Sequence, residues 1–202
     1  MKKVILSLAL GTFGLGMAEF GIMGVLTELA HNVGISIPAA GHMISYYALG
    51  VVVGAPIIAL FSSRYSLKHI LLFLVALCVI GNAMFTLSSS YLMLAIGRLV
   101  SGFPHGAFFG VGAIVLSKII KPGKVTAAVA GMVSGMTVAN LLGIPLGTYL
   151  SQEFSWRYTF LLIAVFNIAV MASVYFGCRI FATRRKENYA NNFTFYAALP
   201  RG

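Results

Sequence analysis

The sequence predicts an all-α membrane protein in which six transmembrane helices form an inverted repeat of three helices plus three. Three observations carry this prediction: an apolar composition, six long apolar segments, and two similar stretches that lie 89 residues apart. Of the 202 residues, 59% are hydrophobic and only 9% are charged, whereas about a quarter of the residues in a soluble domain are charged. We therefore expect a multi-pass protein whose surrounding medium is a lipid bilayer.

Six apolar segments are long enough to cross a membrane, because a helix needs ~20 predominantly apolar residues to span ~30 Å of hydrocarbon. They cover about residues 4–29, 38–62, 69–89, 91–117, 125–150 and 157–177. The polar connections between them are short, which favours a bundle. The opening MKK and the apolar run after it also suit a signal peptide, but no convincing small-residue cleavage site follows, so a retained first helix is favoured.

Charge indicates orientation rather than a nucleic-acid partner. The net charge of +10 comes from short basic clusters between apolar runs, not from a polar basic surface. On one side of the predicted bundle stand Lys2, Lys3, Arg64, Lys68, Lys118, Lys121, Lys124 and the five basic residues of the C-terminal tail, whereas Arg157 stands alone on the other. The positive-inside rule therefore predicts that both termini are cytoplasmic.

The polar residues of the sequence do not indicate an enzyme. The chain contains no Asp, and its carboxylates are Glu19, Glu28, Glu153 and Glu187. The two cysteines, Cys78 and Cys178, are interpreted as free thiols, since one lies inside an apolar run. No metal-binding cluster, phosphate loop or nucleophile with a nearby base is evident in the sequence. We expect neither catalysis, nor a metal site, nor a cofactor.

Residues 54–72 and 143–161 align without a gap. The identical pairs are Gly54/Gly143, Pro56/Pro145, Ser62/Ser151, Ser66/Ser155 and Leu72/Leu161. The offset equals three spans, an odd number, so the second copy must have the opposite orientation in the membrane. Arg64 is matched by Glu153, as a charge bias between the two sides would favour. Chance similarity between two hydrophobic hairpins that contain Gly and Pro is the open alternative.

Motifs in the fourth and fifth spans carry a family resemblance. They read Arg98-x-x-Ser101-Gly102-x-x-His105-Gly106-Ala107, then Ala139-Asn140-x-x-Gly143-x-Pro145-x-Gly147, then Trp156-Arg157-x-x-Phe160. Over residues 1–176 the chain resembles the major facilitator superfamily, in particular its bacterial drug:proton and sugar-efflux antiporters. That family is built from twelve spans in two halves, so the resemblance implies the N-terminal half of a major facilitator fold, with its nested inverted repeat.

The resemblance also implies an activity. A complete relative would exchange a small solute for protons across a bacterial inner membrane by alternating access, driven by the proton gradient. The solute would be a sugar, a sugar derivative such as an arabinose-related compound, or a drug. The implied partners are the lipid bilayer, the substrate, protons and the missing C-terminal six-helix half, without which the chain should be inactive. The alternative is a homodimeric six-span half-transporter or channel.

Charged residues inside the spans are the candidates for substrate binding or proton coupling. A charge near the bilayer centre costs ~2.5 to 3.5 kcal/mol, so Glu19 and Arg98 each need a partner or a wet cavity. Counted from the span ends at 1.5 Å per residue, both are roughly 10 to 15 Å deep, which makes a pair possible. His105 and Asn140 are further candidates. In the alternative, Arg98 only fixes helix packing through carbonyl oxygens, Glu19 stays protonated, and His105 is a hydrogen-bonded packing residue.

A second group of residues is predicted to serve conformational change. Gly143, Pro145 and Gly147 would form a hinge in the fifth span, although a static kink is equally compatible with them. Arg64 and Lys68 are what remains of the family's cytoplasmic gating loop, in which Ser63 stands where the family places Asp. That departure puts the usual carboxylate latch in doubt.

Residues 177–202 are a separate problem. They are basic and scattered with Asn and aromatic residues, without a helical stripe, and they resemble neither the family's central loop nor a seventh span. We interpret them as a frameshifted, non-native ending. A natural basic cytoplasmic tail is the alternative, and sequencing an uninterrupted allele tests the interpretation.

Overall fold

The computed structural model describes residues 2–62 and 65–177, and this part of the chain is helical almost throughout. The helices are α1 (Lys2–Phe20), α2 (Leu26–Val33), α3 (Ile37–Ser62), α4 (Leu67–Leu87), α5 (Tyr91–Ile119), α6 (Val125–Glu153) and α7 (Trp156–Gly177). Two 3₁₀ turns, Gly21–Gly24 and Pro122–Lys124, precede α2 and α6. Ser63, Arg64 and the tail from Cys178 onward lie outside the described residues.

Within those ranges, six helical segments are long and apolar enough to span a membrane, which confirms the predicted number. The first span differs from its prediction, because the helix expected over residues 4–29 is interrupted. Its α-helical part ends at Phe20, the 3₁₀ turn follows, and α2 is a short separate helix. The turn lies against α6: a methyl group placed on Gly24 would be 2.5 Å from the carbonyl oxygen of Ile144. Glycine allows this close approach.

The packing of the helices has the symmetry of an inverted repeat. α1 packs on α6 as α3 packs on α5, and α1 contacts α7 as α5 contacts α4. α4 and α7 pack on each other. Exchanging α1 with α5, α3 with α6 and α4 with α7 therefore maps these main contacts onto one another. Because the exchanged helices are three spans apart, they cross the membrane in opposite directions, as the repeat in the sequence predicts.

Single hydrogen bonds follow the same symmetry. The Arg98 Nε donates to the carbonyl oxygen of Met43 at 3.3 Å, and the Thr12 hydroxyl donates to that of Met132 at 2.5 Å. Met43 and Met132 are 89 residues apart, the offset of the repeat, while Thr12 and Arg98 are 86 residues apart. Equivalent residues of α1 and α5 are thus 86 positions apart in the sequence, three fewer than equivalent residues of α3 and α6.

The motif that begins α7 builds the core between α4 and α7. Trp156 and Phe160 are fully buried, and their rings lie 5.5 and 4.4 Å from that of Phe85. Arg157 donates hydrogen bonds to the carbonyl oxygens of Thr86 at 3.1 Å and Ser88 at 2.8 Å. A cation at the C-terminal end of α4 satisfies carbonyl groups that have no partner within the helix.

Candidate functional site

Arg98 is fully buried in the bundle and holds three helices together. From α5, its Nη1 donates to the carbonyl oxygen of Ala18 on α1 at 2.7 Å, and its Nε donates to that of Met43 on α3. The guanidinium lies 4.4 Å from the centre of the Tyr47 ring, a cation–π contact. The contacts of Arg98 are thus mainly backbone oxygens and an aromatic face.

The break in the first span explains the position of Arg98. Ala18 lies in the last turn of α1, where carbonyl groups lose their partners four residues on and where the helix dipole is negative. Within a membrane no water is available to satisfy such groups. A guanidinium directed at this helix end supplies both a hydrogen bond and a compensating positive charge.

Glu19 contacts His105 rather than forming the pair with Arg98 that depth in the membrane suggested. The Oε2 of Glu19 lies 3.5 Å from the Nε2 of His105, while Arg98 is occupied by the two carbonyl oxygens. Counting residues from a span end gives the height of a side chain but not the direction in which it points. Arg98 still interacts electrostatically with Glu19.

His105 extends the contact into the core. Its Nδ1 is hydrogen-bonded to the Tyr47 hydroxyl at 2.8 Å, and that hydroxyl donates to the carbonyl oxygen of Leu15 at 3.2 Å. The Phe109 ring stacks on the imidazole at a centroid distance of 5.4 Å. The Glu19 side chain is 32% exposed and that of His105 only 7%, so the cluster runs from an accessible carboxyl to a buried hydroxyl.

Glu19 and His105 are equivalent positions of the two repeats. They are 86 residues apart, like Thr12 and Arg98. Symmetry-equivalent residues that touch each other must lie close to the symmetry axis, because the axis passes midway between equivalent points. The Glu19–His105 contact therefore marks the pseudo-twofold axis of the bundle. Tyr47 was not among the predicted site residues; a hydroxyl inside an apolar span is the signal that could have indicated it.

Gly143 and Gly147 of the predicted hinge pack against the 3₁₀ turn of the first span. A methyl group on Gly143 would be 3.4 Å from the Cβ of Phe20, and one on Gly147 would be 2.7 Å from the carbonyl oxygen of Gly21. Pro145 lies inside α6 between them. The two glycines thus form a contact surface, and their use as a hinge stays a prediction.

The other predicted residues lie apart from the Glu19 cluster. Asn140 is exposed on α6, and the cluster's hydrogen bonds do not involve it. The Nζ of Lys68 lies 3.9 Å from the centre of the Tyr175 ring, which joins the start of α4 to the end of α7. Arg64 lies outside the described residues. These roles stay predictions.

A separate apolar cavity of about 510 Å³ opens near the connection between α3 and α4. Its lining includes Ile57, Phe73 and Phe103, with the polar side chains of Tyr65 and His69. The candidate coupling residues do not line this cavity.

Comparison with known proteins places the chain among transporters. The sequence profile of the Major Facilitator Superfamily matches residues 8–197. The chain is 92% identical over 195 residues to "Putative transporter AraJ" of Escherichia coli (strain K12), covering 96% of this chain and 50% of that protein. It is 41% identical over 173 residues to "Inner membrane transport protein YdhP" of the same strain, covering 86% of this chain and 44% of the relative. The chain thus spans about half the length of these relatives.

A solved structure shows the same fold. The crystal structure of a D-xylose-proton symporter superposes with a TM-score of 0.75 at 15% sequence identity, covering 95% of this chain and 53% of the symporter. At this identity the likeness concerns the arrangement of helices alone.

Proposed function

Because the chain belongs to the major facilitator superfamily, a family of transporters rather than enzymes, we propose that it is the N-terminal six-helix half of a proton-coupled efflux transporter. The complete transporter exchanges a small solute for protons across a bacterial inner membrane by alternating access. The solute class we propose is a sugar, a sugar derivative such as an arabinose-related compound, or a drug.

The contact between Glu19 and His105 is the observation that carries the proton coupling. Two groups able to bind protons lie 3.5 Å apart on the pseudo-twofold axis, within membrane-spanning segments. Ionisable side chains at such depth are costly and are typical of substrate or proton pathways. Glu19 is partly exposed, so it can exchange protons with water that enters between the two halves of the transporter.

In this proposal Arg98 acts on Glu19 without binding the proton itself. It is fixed to α1 and α3 by its two carbonyl acceptors and interacts electrostatically with the carboxyl group. Asn140 belongs to the substrate path instead: Ser134, Thr137 and Asn140 are exposed polar residues spaced three apart on one side of α6.

The second half of the transporter would cover the side of the bundle formed by α3 and α6. In the most apolar stretch of each span, 28% of residues are buried in α3 and 22% in α6, against 61% in the first span and 56% in α5. α3 and α6 are also equivalent in the repeat, so they present matching surfaces to one partner. The six helices would then form one wall of a central cavity, and the second half would supply the other.

Reconstitution of the two halves tests this proposal. The chain would be coexpressed with the C-terminal half of its 92% identical relative, and proton release from everted vesicles would be measured with candidate sugars and drugs. We expect substrate-dependent proton movement only with both halves, and its loss in Glu19→Gln. Glu28→Gln, at a half-buried position of α2 away from the Glu19–His105 contact, is the matched control and should retain it. Transport by the chain alone, or full activity in Glu19→Gln, would contradict the proposal.

A homodimeric half-transporter or channel is the second candidate, favoured by the same poorly buried surfaces of α3 and α6. A second copy of the chain would then cover them. A stable dimer that conducts solute passively, without dependence on a proton gradient, would favour this candidate over the first.

Orientation and the tail complete the proposal. The end of the bundle that carries the N-terminus also carries Lys118, Lys121 and Lys124, so we place it in the cytoplasm by the positive-inside rule. The frameshifted origin of residues 177–202 stays a prediction.

A further inference from the structure

We propose that Tyr47 and His105 transmit the protonation state of Glu19 to the contact between α1 and α3. Loss of the Glu19 proton changes the tautomer of His105. The Tyr47 hydroxyl then donates its hydrogen to the imidazole instead of the Leu15 carbonyl oxygen. This inference rests on the proposed function, in which Glu19 carries the coupling proton. It adds Tyr47 and a physical mechanism by which proton release alters a contact between helices.

The contacts admit one arrangement that suits a protonated Glu19. In it, the single hydroxyl hydrogen of Tyr47 is donated to the carbonyl oxygen of Leu15. The 2.8 Å bond between that hydroxyl and the Nδ1 of His105 must therefore be donated by the imidazole, which places a hydrogen on Nδ1. A neutral ring then has a bare Nε2, and this atom faces the Oε2 of Glu19. A protonated Glu19 is the partner that such a nitrogen requires.

The deprotonated state requires the opposite arrangement. A Glu19 carboxylate can only accept hydrogen bonds, so Nε2 must carry the imidazole hydrogen. Nδ1 then has a lone pair, and the Tyr47 hydroxyl is the donor within reach. Of the three dissociable hydrogens in the first state, two remain: the O–H bond of Glu19 and the Nδ1–H bond are broken, one Nε2–H bond is formed, and one proton passes to water. Tyr47 keeps its hydrogen and only rotates its O–H bond.

Release of the proton changes one hydrogen bond between two helices. In the first state Tyr47 on α3 bonds to Leu15 on α1, and in the second state it does not. The bonds of Arg98 to Ala18 on α1 and Met43 on α3 use other donors and persist in both states. Release of the proton thus loosens the α1–α3 contact around a fixed point, without separating the helices.

Charged and titratable groups on the surrounding helices determine the electrostatic environment of this hydrogen exchange. Arg98 on α5 interacts electrostatically with Glu19 on α1, with Tyr47 on α3 and with His105 on its own helix. Cys78 on α4 interacts with Tyr47 and Arg98. A fixed positive charge opposes a doubly protonated imidazole, which favours exchange between two neutral tautomers.

Solid-state NMR of the chain in lipid nanodiscs, with ¹⁵N-labelled histidine, tests the inference directly. The two ring nitrogens report which of them carries hydrogen, and the His105 signals are assigned by their loss in His105→Gln. Between about pH 5 and about pH 9, a range that brackets ordinary imidazole titration, we expect a change from Nδ1–H to Nε2–H. In Glu19→Gln, whose amide can always donate to Nε2, we expect Nδ1–H throughout.

Tyr47→Phe supplies the second variant. It keeps the ring beneath Arg98 but removes the hydroxyl. The tautomer change, which Glu19 drives, should therefore persist in this variant. The ¹³C carbonyl signal of Leu15, expected to follow the pH in the wild-type chain, should become independent of pH. A constant tautomer in the wild-type chain, an imidazolium at all pH values, a wild-type tautomer change in Glu19→Gln, or a pH-dependent Leu15 signal in Tyr47→Phe would overturn the inference. If Tyr47→Phe does not fold, the wild-type and Glu19→Gln spectra still decide. Loss of coupled transport in Glu19→Gln together with a constant wild-type tautomer would leave the proposed function standing and reject this inference alone.

Discussion

Glu19 and His105 occupy equivalent positions of two inverted repeats and face each other, with 3.5 Å between Oε2 and Nε2. The helices that carry them pack in a related way, but one position holds an acid and the other a base. A symmetric pair of carboxyl groups would repel when ionised, whereas this pair can hold a proton between unlike groups. The chemical difference between the two repeats is therefore concentrated at the axis that relates them.

Replacing Arg98 should destabilise the bundle. Arg98→Met removes two hydrogen bonds from a charged donor, each worth ~1.5 to 3 kcal/mol, and this loss is partly offset because a buried charge is removed. We expect the free energy of unfolding to fall by ~1.5 to 3 kcal/mol. Urea unfolding in mixed micelles, followed by the fluorescence of Trp156, the only Trp, measures it.

Two further variants show whether the geometry of Arg98 is responsible. Arg98→Lys keeps a charge near the end of α1 but cannot direct two N–H groups at Ala18 and Met43 from one planar group, so an intermediate loss is expected. Lys118→Met removes an exposed charge from the same helix and should have little effect. Equal stabilities of Arg98→Met and Lys118→Met would contradict the prediction.

Equivalent glycines of the two repeats should respond differently to alanine. A methyl group on Gly54 would collide with the backbone carbonyl oxygen of Phe103, whereas one on Gly143 would lie 3.4 Å from its nearest neighbour. We expect Gly54→Ala to cost ~1 to 3 kcal/mol through overpacking. Gly143→Ala should be neutral or slightly stabilising, because alanine favours helix by up to ~1 kcal/mol.

Gly110→Ala is the control for that pair, since no described atom outside the adjacent turns of its own helix lies within 4 Å of the added methyl group. Thermal unfolding of the three variants in one detergent compares them. The prediction fails if Gly54→Ala melts at or above the temperature of Gly110→Ala.

The hydrogen bond of Thr12 is expected to support the contact between α1 and α6. Thr12→Val keeps the shape of the side chain but loses the donor to the Met132 carbonyl oxygen. Interhelical bonds of this kind contribute ~0.6 to 2 kcal/mol in membranes, so a loss of that size is expected in urea unfolding. Thr137→Val, at an exposed position of α6, should cost less; equal losses would argue against a special role for Thr12.

Labelling of single cysteines tests the predicted orientation. In a chain with both native cysteines replaced by alanine, Ser89→Cys lies in the exposed connection between α4 and α5, and Gly123→Cys lies in that between α5 and α6. If the termini are cytoplasmic, a membrane-impermeant maleimide should label only Ser89→Cys in intact cells, and both variants after lysis. The reverse pattern would place the termini outside.

Sequence predicted the fold well because its signals are local. Hydropathy shows the number of spans, and the gapless match of Gly54 with Gly143 shows the repeat. The site was harder to predict, because Arg98 bonds to backbone carbonyl oxygens, which every residue possesses and no sequence pattern marks. The partner of Glu19 depends on the direction of side chains around each helix, which hydropathy does not show. Aligning α1 with α5 at an offset of 86 residues would have matched Glu19 with His105 and so indicated its partner.

The order of synthesis gives the Arg98 contacts a further meaning. The chain is made from its N-terminus, so α1 and α3 leave the ribosome before α5 does. Both carbonyl acceptors of Arg98, on Ala18 and Met43, therefore belong to helices that precede it. When α5 enters the bilayer, the carbonyl groups that bind Arg98 can already be in place. The guanidinium then need not be exposed to lipid without a hydrogen-bond partner.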